Sequence, residues 1–359
     1  MKKLAIVPWG SVFQDDQIFN LDNNILNRDG CLKIYCDIRS CLRKKGWETH
    51  TIDYYSDLSE VDWILFFYFD HSQYLNILEK GLLNKCVYYA FEPPVVDNHH
   101  SEQGIRRLLK FFPYIMTWND ALVDNKRIFK FMYPYNFNVE WSTVPFSCRK
   151  LLVNISGNKY SQHNRELYSE RERVVSFFDN STEFELYGTN WNKEVHHSYK
   201  GLANKKSIVY HNFKFALCLE NMWDIDGYVT EKILDCFCSG TIPIYWGAKN
   251  IDEYIPSECY IPYTKFDNLE EMYFFLNKMT EDEYEVYLKN ISLFLQSSNI
   301  KVFSAETFAD GVIKIIENNN SNCVHGDSKL KLRVMLLFDI FKDKLERINA
   351  KIIKWLTHK

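Results

Sequence analysis

The 359-residue chain is expected to fold as an α/β protein of two facing Rossmann-like domains with a C-terminal amphipathic helical tail. Three observations predict this. Apolar strand-like runs alternate with helical patterns in two series, one on each side of a stretch from Tyr133 to Arg149 that holds Pro134 and Pro145. Such alternation builds a parallel sheet covered on both faces. The length exceeds one ordinary core and suits two domains of roughly 100–200 residues. Apolar residues then recur at Val334, Phe338, Phe341, Leu345, Ile348, Ile352 and Trp355, a three–four spacing that marks one stripe of a helix. The domains are expected over residues 1–145 and 146–320, with the tail over 328–359.

In the first series, Leu4–Val7 reads as a buried strand and Leu32–Lys45 as a helix that stops near Gly46. Glu48–Ile52 and Trp63–Tyr68 read as strands, Gln73–Leu83 as a helix, and Cys86–Phe91 as a strand ended by Glu92-Pro93-Pro94. Tyr114–Trp118 and Ile128–Met132 are shorter strand candidates. The second series runs Leu151–Ile155 (strand), Arg165–Phe178 (helix), Phe184–Tyr187 (strand), Phe213–Leu219 (strand), Glu231–Cys238 (helix) and Ile242–Trp246 (strand). Helical patterns occupy Leu269–Met279, Glu281–Gln296 and Ala305–Asn318, and Asn318–Asp327 reads as a polar loop. No internal repeat of fixed period is present. In open parallel sheets ligands bind outside the carboxyl ends of the strands, so the cleft between the domains is the expected site.

Composition narrows the function. The net charge of −4 carries no global field for nucleic acid. The charge is uneven, however: Lys329–Lys359 has nine Lys/Arg against three Asp/Glu, while the rest of the chain is acidic. A basic amphipathic helix with Trp fits a membrane surface, and it equally fits a helix packed on the protein body or on a partner. The ten cysteines include no CxxC pair, so free thiols are expected and a zinc site is not. Leu4–Val7 is too short for a signal peptide or anchor, and no run of about 18 apolar residues exists to cross a bilayer. No GxGxxG follows the first strand, which disfavours a dinucleotide oxidoreductase.

The densest chemistry lies between Phe213 and Trp246. An apolar strand closes at Glu220-Asn221, a polar loop Met222–Gly227 follows, and Tyr228-Val229-Thr230-Glu231-Lys232 leads into a helix that stops at Gly240. Thr230 suits an N-cap, and Glu231 stands where the helix dipole favours a carboxylate. A helix N-terminus at the carboxyl end of a strand offers free N–H groups to an anion such as a diphosphate, and Lys232 adds a full charge. The same features also occur as plain helix capping.

The string KFALCLENMWDIDGYVTEKILDCFCSGTIPIYWGAKNIDEYIP, Lys214–Pro256, resembles the donor-site motif of the α-1,3/4-fucosyltransferases, glycosyltransferase family 10, and the lack of an apolar anchor segment resembles the family's bacterial members. The match runs in order along the string, and the loop Met222–Gly227 departs from the family's commonest wording. The resemblance implies a GT-B architecture, with GDP-fucose on the C-terminal domain and the acceptor sugar on the N-terminal one. It implies that Asn221 and Tyr228 contact the diphosphate–sugar region, that Glu231 binds ribose hydroxyls and that Lys232 pairs with phosphate. Leu167-Tyr168-Ser169-Glu170-Arg171 is similar to the family's helix with a phosphate-binding arginine, here Arg171. Arg165 and Arg173 compete for that role, and a surface ion pair is the plain alternative. Tyr88–Pro94 is similar to the strand that carries the acceptor-side glutamate, which makes Glu92 the candidate general base; a solvated turn residue is the alternative. His99 and His100 read as loop residues or as lining of the acceptor site.

Asp224-Ile225-Asp226 imitates a metal-binding Asp-x-Asp, but a GT-B site handles a diphosphate with a helix end and cations, so solvated loop acids are expected and no metal ligand is assigned. Ser156-Gly157-Asn158 follows a strand and is a weak donor candidate. Gly188–Trp191 reads as a structural turn. The expected reaction is an inverting transfer of fucose to an acceptor glycan, N-acetylglucosamine or glucose O-3 of a lipopolysaccharide or oligosaccharide. GDP-fucose is the donor, no cofactor is required, and a divalent metal is at most stimulatory. The expected location is cytoplasmic, peripheral on the inner membrane through the tail, with no nucleic-acid partner. A transferase for another GDP-sugar and a non-catalytic glycan- or nucleotide-binding protein are the alternatives.

Overall fold

The computed structural model describes residues 1–318 and 327–357; most of the expected loop Asn318–Asp327 lies outside the described residues. The chain builds two sheets. The first contains β1 (Lys2–Val7), β2 (Trp47–Thr51), β3 (Trp63–Phe66), β4 (Cys86–Ala90), β5 (Tyr114–Thr117) and β6 (Ile128–Lys130), in the order β2-β1-β3-β4-β5-β6. The second contains β7 (Lys150–Ile155), β8 (Phe184–Tyr187), β9 (Phe213–Leu219), β10 (Ile242–Trp246) and β11 (Ile261–Pro262), in the order β11-β10-β9-β7-β8. Every pairing in both is parallel. The helices are α1 (Lys33–Lys44), α2 (His71–Glu79), α3 (Glu102–Leu108), α4 (Tyr168–Phe178), α5 (Lys206–Tyr210), α6 (Glu231–Ser239), α7 (Leu269–Lys278), α8 (Glu281–Gln296), α9 (Ala305–Asn318) and α10 (Lys329–Thr357).

Strand alternation sorts the first core into two layers, because successive side chains point to opposite faces of a sheet. Ala5, Val7, Ile64, Phe66, Tyr88 and Ile115 pack on one face with α2 and α3. Leu4, Ile6, Leu65, Val87, Tyr89 and Met116 pack on the other with α1. The second sheet has one core, in which Leu152, Phe215, Leu217 and Ile244 meet Val174, Ile233 and Phe237.

Two elements depart from the expected grouping. Ala305–Asn318, read with the second domain, packs on the first: Phe308, Ala309, Val312, Ile315 and Ile316 join the layer beneath α1. The apolar side of α9 finds its complement there, and sequence order carries no information about that. The tail helix α10 also docks on the first domain, on the opposite layer, through Leu332 and Leu336. Lys329 donates to the Glu79 carbonyl at 2.9 Å, and Arg333 Nε to the Glu79 carboxylate at 2.7 Å. The docked face is not the expected stripe. Val334, Phe338, Phe341, Leu345 and Ile348 are all exposed, on the side opposite Leu332 and Leu336. The side chains of Ile352 and Trp355 lie outside the described residues. Among the described residues no helix is long and apolar enough to cross a membrane.

The stretch from Tyr133 to Arg149 has no strand or helix beyond a short turn, yet it is fastened down. Tyr135 N–H reaches the Phe303 carbonyl at 2.7 Å, Trp141 Nε1 the Phe237 carbonyl at 2.9 Å, and buried Arg149 donates to the Gly240 carbonyl at 3.0 Å. Between the two sheets Trp118 and Tyr228 pack with centroids 4.6 Å apart. Asp120 accepts from Tyr254 at 2.6 Å and from Asn250 at 3.0 Å, and pairs with Lys130 at 2.6 Å. Gly227 lies in this seam with φ +79, and a Cβ there would stand 2.2 Å from the Trp118 carbonyl oxygen. Gly227→Ala therefore meets both a left-handed backbone, worth roughly 1–2 kcal/mol, and a clash with main chain across the seam. The variant is expected to melt several degrees lower than wild type; an unchanged Tm would show that the seam gives way freely.

Candidate active site

The donor-side residues gather at the carboxyl edge of the second sheet. β9 ends at Leu219, and the next residue, Glu220, is completely buried. Its carboxylate accepts from the Thr230 N–H at 2.9 Å, the Thr230 hydroxyl at 2.8 Å and Lys232 Nζ at 2.8 Å. Thr230 is the N-cap of α6, so this one carboxylate ties the end of β9 to the start of the helix. Glu231 then occupies the first turn, half exposed toward the cleft. Burial raises its pKa, but Lys232 and Lys206 outweigh that and hold it below the usual carboxylate range. Burial lowers the Lys232 pKa, and Glu220 and Glu231 more than offset this, so the ammonium is firmly charged.

Arg171 lies on the first turn of α4, buried beneath this edge. Its Nη2 donates to the carbonyls of Leu219 (2.7 Å) and Glu220 (2.6 Å) and to Asn221 Oδ1 (3.0 Å). Asn221 is thus held by Arg171, and its own carbonyl accepts from the Leu167 N–H at 3.1 Å. Tyr228 is buried among Trp118 and Met222 in the seam. The two competing arginines lie elsewhere: Arg173 pairs with Glu170 at 2.6 Å on the surface, and Arg165 donates to the Asp224 carbonyl at 2.9 Å. Asp224 and Asp226 gather with no third ligand-type side chain among the described residues.

Lys159 is the site residue that sequence reasoning missed. It follows β7 in the loop whose first three residues, Ser156–Asn158, were singled out. The turn at Gly188 props this loop. Trp191 Nε1 donates to the Ser156 carbonyl at 2.6 Å, and the Asn158 N–H to the Thr189 carbonyl at 2.8 Å. Gly188 has φ +135, and a Cβ there would lie 1.9 Å from Ser156 O, so the turn accepts no side chain. Burial pulls the Lys159 pKa down; Glu92 and Glu231 oppose this, while Lys232 and Arg171 add to it. Three cations from three separate segments are therefore close enough to repel one another.

Glu92 faces them from the first domain. It follows β4, where the exit of the strand is clamped: the Phe91 carbonyl accepts from Trp118 Nε1 at 2.8 Å and from the Tyr133 hydroxyl, and the Glu92 carbonyl meets His100 Nδ1 at 2.8 Å. Among the described residues its carboxylate accepts no hydrogen bond. Burial raises its pKa and the Glu231 charge adds to this, while Lys232 and Lys159 oppose both. A cavity of ≈ 240 Å³ opens beside it, lined by Trp9, Phe67, Tyr68, Phe91 and His100. A larger hollow, ≈ 460 Å³, lies at the opposite end of the first sheet around Lys2, Trp47 and Trp63, where the strands begin. Parallel sheets bind ligands at the other end, so the smaller cavity is the relevant one.

The structure thus brings Glu92, Glu231 and Lys232 together and adds Lys159. Arg171, Asn221 and Tyr228 are built into the layer that supports them. A carboxylate of raised basicity opposite clustered cations can take a proton on one side and steady a leaving anion on the other. The support rests on Glu220. Glu220→Ala strands the Lys232 charge and both Thr230 donors, so a loss of about 3–5 kcal/mol is expected in chemical denaturation. A loss under about 1 kcal/mol would mean that the tie contributes little.

The chain is similar to known proteins over parts of its length and in its fold. Residues 151–303 match the model for glycosyltransferase family 10 (fucosyltransferase), C-terminal part. An alpha-(1,4)-fucosyltransferase of Arabidopsis thaliana is 34% identical over 71 residues, 20% of this chain and 18% of the relative. The alpha-(1,3)-fucosyltransferase FucT of Helicobacter pylori is 42% identical over 59 residues, 16% of this chain and 12% of the relative. The matched part therefore spans less than a fifth of either relative's length. Among solved structures, an alpha1,3-fucosyltransferase with GDP aligns over 91% of this chain and 92% of its own, with a TM-score of 0.54 and 16% identity. HepE of Anabaena with UDP aligns over 89% and 100%, with a TM-score of 0.53 and 10% identity. At these identities the structures speak for the fold, which is GT-B. Residues 151–303 are therefore similar to the C-terminal part of glycosyltransferase family 10 (fucosyltransferase), on a chain of GT-B fold.

Proposed function

We propose that this chain transfers L-fucose from GDP-fucose to a hydroxyl of an acceptor glycan, with inversion at the anomeric carbon. The observation that carries the reading is Glu92 set across the cleft from Lys159, Lys232 and Glu231, on a chain whose residues 151–303 are similar to family 10. The diphosphate lies against Lys159, Lys232 and the N-terminus of α6, with Arg171 beneath and Asn221 held by it. Glu231 accepts from the ribose hydroxyls, and Tyr228 closes the donor pocket from the seam. The acceptor enters through the aromatic cavity beside Glu92, where Trp9 and Phe91 offer flat apolar faces to a sugar ring. The acceptor hydroxyl attacks the anomeric carbon from the face opposite GDP. Its proton passes to Glu92, and the bond to the diphosphate oxygen breaks as charge grows on GDP. The cations are in place before the reaction and need not reorganise, which is where such sites gain most of their rate. For the acceptor we propose N-acetylglucosamine or glucose O-3 in a lipopolysaccharide or oligosaccharide.

The exposed stripe of α10 supports a second element of the proposal. Val334, Phe338, Phe341, Leu345 and Ile348 form one apolar face, with Lys331 and Lys342 on one flank and Arg333 and Lys344 on the other. We assign it to an anionic membrane surface, where apolar burial and basic flanks act together and hold the enzyme near a lipid-linked acceptor on the cytoplasmic side.

Incubation with GDP-fucose and a panel of N-acetyllactosamine-type and glucose-ended acceptors is expected to give a fucosylated product by mass spectrometry; transfer from GDP-mannose instead would reassign the donor. Glu92→Gln is expected to slow turnover by roughly 10²–10⁴-fold and leave GDP affinity unchanged. Because Glu92 acts deprotonated and its pKa is raised, kcat/KM should fall as pH drops through a value above the ordinary glutamate range. That acid limb should vanish in Glu92→Gln, and its persistence would remove Glu92 as the base. Lys159→Ala and Lys232→Ala should each weaken GDP binding by roughly 10–100-fold, the worth of one charge-assisted contact. Phe338→Glu with Phe341→Glu should fold normally and lose sedimentation with anionic liposomes; undiminished sedimentation would reject the membrane assignment.

A further inference from the structure

We propose that His71, His99, Asp339 and Asp343 bind a divalent transition-metal ion, zinc by preference, which clasps the C-terminal helix to the first domain. His71 opens α2, His99 stands in the short turn Asn98–His100, and Asp339 and Asp343 lie one turn apart on the docked side of α10. One ligand atom from each lies within 4.8 Å of all the others, and among the described residues no other group of three or more His, Cys, Asp and Glu side chains converges this way.

The spacing fits a tetrahedral ion. Ligand atoms at zinc's bond lengths of about 2.0–2.1 Å stand about 3.3 Å apart along each edge of the tetrahedron. Here His71 Nε2 and His99 Nε2 lie 2.9 Å and 3.1 Å from one oxygen, Asp339 Oδ2, while at Asp343 they face different oxygens, Oδ2 at 3.8 Å and Oδ1 at 3.5 Å. The two edges to Asp339 lie within about 0.5 Å of that value, and a rotation of the Asp343 carboxylate would bring one of its oxygens to the ion.

The outer contacts orient the ligands as metal sites require. His99 Nδ1 lies 2.8 Å from Asp97 Oδ1, which turns Nε2 into the cluster. A carboxylate on the far nitrogen of a ligating histidine is a usual companion of bound zinc. The second oxygen of Asp339 is occupied by Arg107. Asp339 is fully buried, and a carboxylate taken out of water must be paired. Two neutral imidazoles and two carboxylates match a dication in charge. Two nitrogens with two oxygens at this spacing favour zinc over magnesium or calcium, which take six or more oxygens. A pair of imidazolium ions is the competing occupant of the same geometry.

The clasp would do more than fasten the tail. His99 and its neighbour His100 belong to the segment that leaves Glu92, and His100 Nδ1 meets the Glu92 carbonyl at 2.8 Å. An ion here would join α10 to the loop that carries the cleft carboxylate. This inference concerns metal binding and stands apart from the identity of the donor or acceptor.

The test uses the full chain, untagged, stripped with a chelator and freed of it. Titration with Co²⁺ should give the intense visible bands of a tetrahedral site at one equivalent, displaced by one equivalent of Zn²⁺. Circular dichroism should show His71→Gln and Asp343→Asn folded, and each should lose the bands. Asp97→Asn should weaken zinc binding by roughly 10–100-fold. If the wild-type chain gives no tetrahedral cobalt spectrum, or binds zinc with an affinity that neither His71→Gln nor Asp343→Asn changes, the site is wrong and the cluster is held by protons. The wild-type titration decides the matter even where a variant fails to fold.

Discussion

A single buried carboxylate organises the cleft edge of the second domain. Glu220 leaves the end of β9 with no exposure, and it gathers the first N–H of the α6 cap, the capping hydroxyl and the Lys232 ammonium. A charge in that position is tolerated only because both of its oxygens accept hydrogen bonds, one of them from an ammonium. The consequence is geometric. With Glu220 satisfied this way, α6 can start at only one place relative to the sheet, and Lys232 and Glu231 are delivered to the cleft edge together. Arg171 continues the same construction one layer down, where its guanidinium ties the Leu219 and Glu220 carbonyls to Asn221.

Two domains divide the chemistry between them. The second contributes cations and a helix terminus, and the first contributes a carboxylate whose backbone is clamped on both sides. The seam between them is specific. Trp118 meets Tyr228, Asp120 meets Tyr254 and Asn250, and Gly227 passes under a main-chain carbonyl with no room for a side chain. The distance between Glu92 and the cations is set there rather than by either domain alone. The C-terminal segment adds a third constraint, since α9 and α10 return to opposite faces of the first sheet after the second domain is complete.

Much of this was legible in the sequence. Phe213–Leu219, Ile242–Trp246, Glu281–Gln296 and Ala305–Asn318 were read with the bounds that the structure shows, because their apolar periods are long and their ends carry Thr, Gly or Glu signals. Three elements were not read. α5 is five residues long, too short for a period to show. β11 is two residues beside a proline. α3 carried a usable signal, Ser101 ahead of Glu102, with the Ser101 hydroxyl accepting from the Gly104 N–H, but only two turns follow it. Lys159 was passed over because a lone lysine in a loop looks the same whether it meets solvent or two other cations.

The tail shows the limit most clearly. Its sequence displays one strong apolar stripe, and the structure leaves that stripe in solvent. Docking occurs through Leu332, Leu336, Asp339 and Asp343, a face too mixed in polarity to stand out. By itself the sequence determined the alternation of strands and helices, the capped helix behind β9 and the family signature, since all of these are local patterns within a few tens of residues. Only the tertiary structure decided that Glu92 comes within electrostatic reach of Lys159 and Lys232, that α9 belongs to the first core, and that residues 71, 99, 339 and 343 converge. Such contacts join segments far apart in the chain, and their energy depends on shape and burial that no local pattern records.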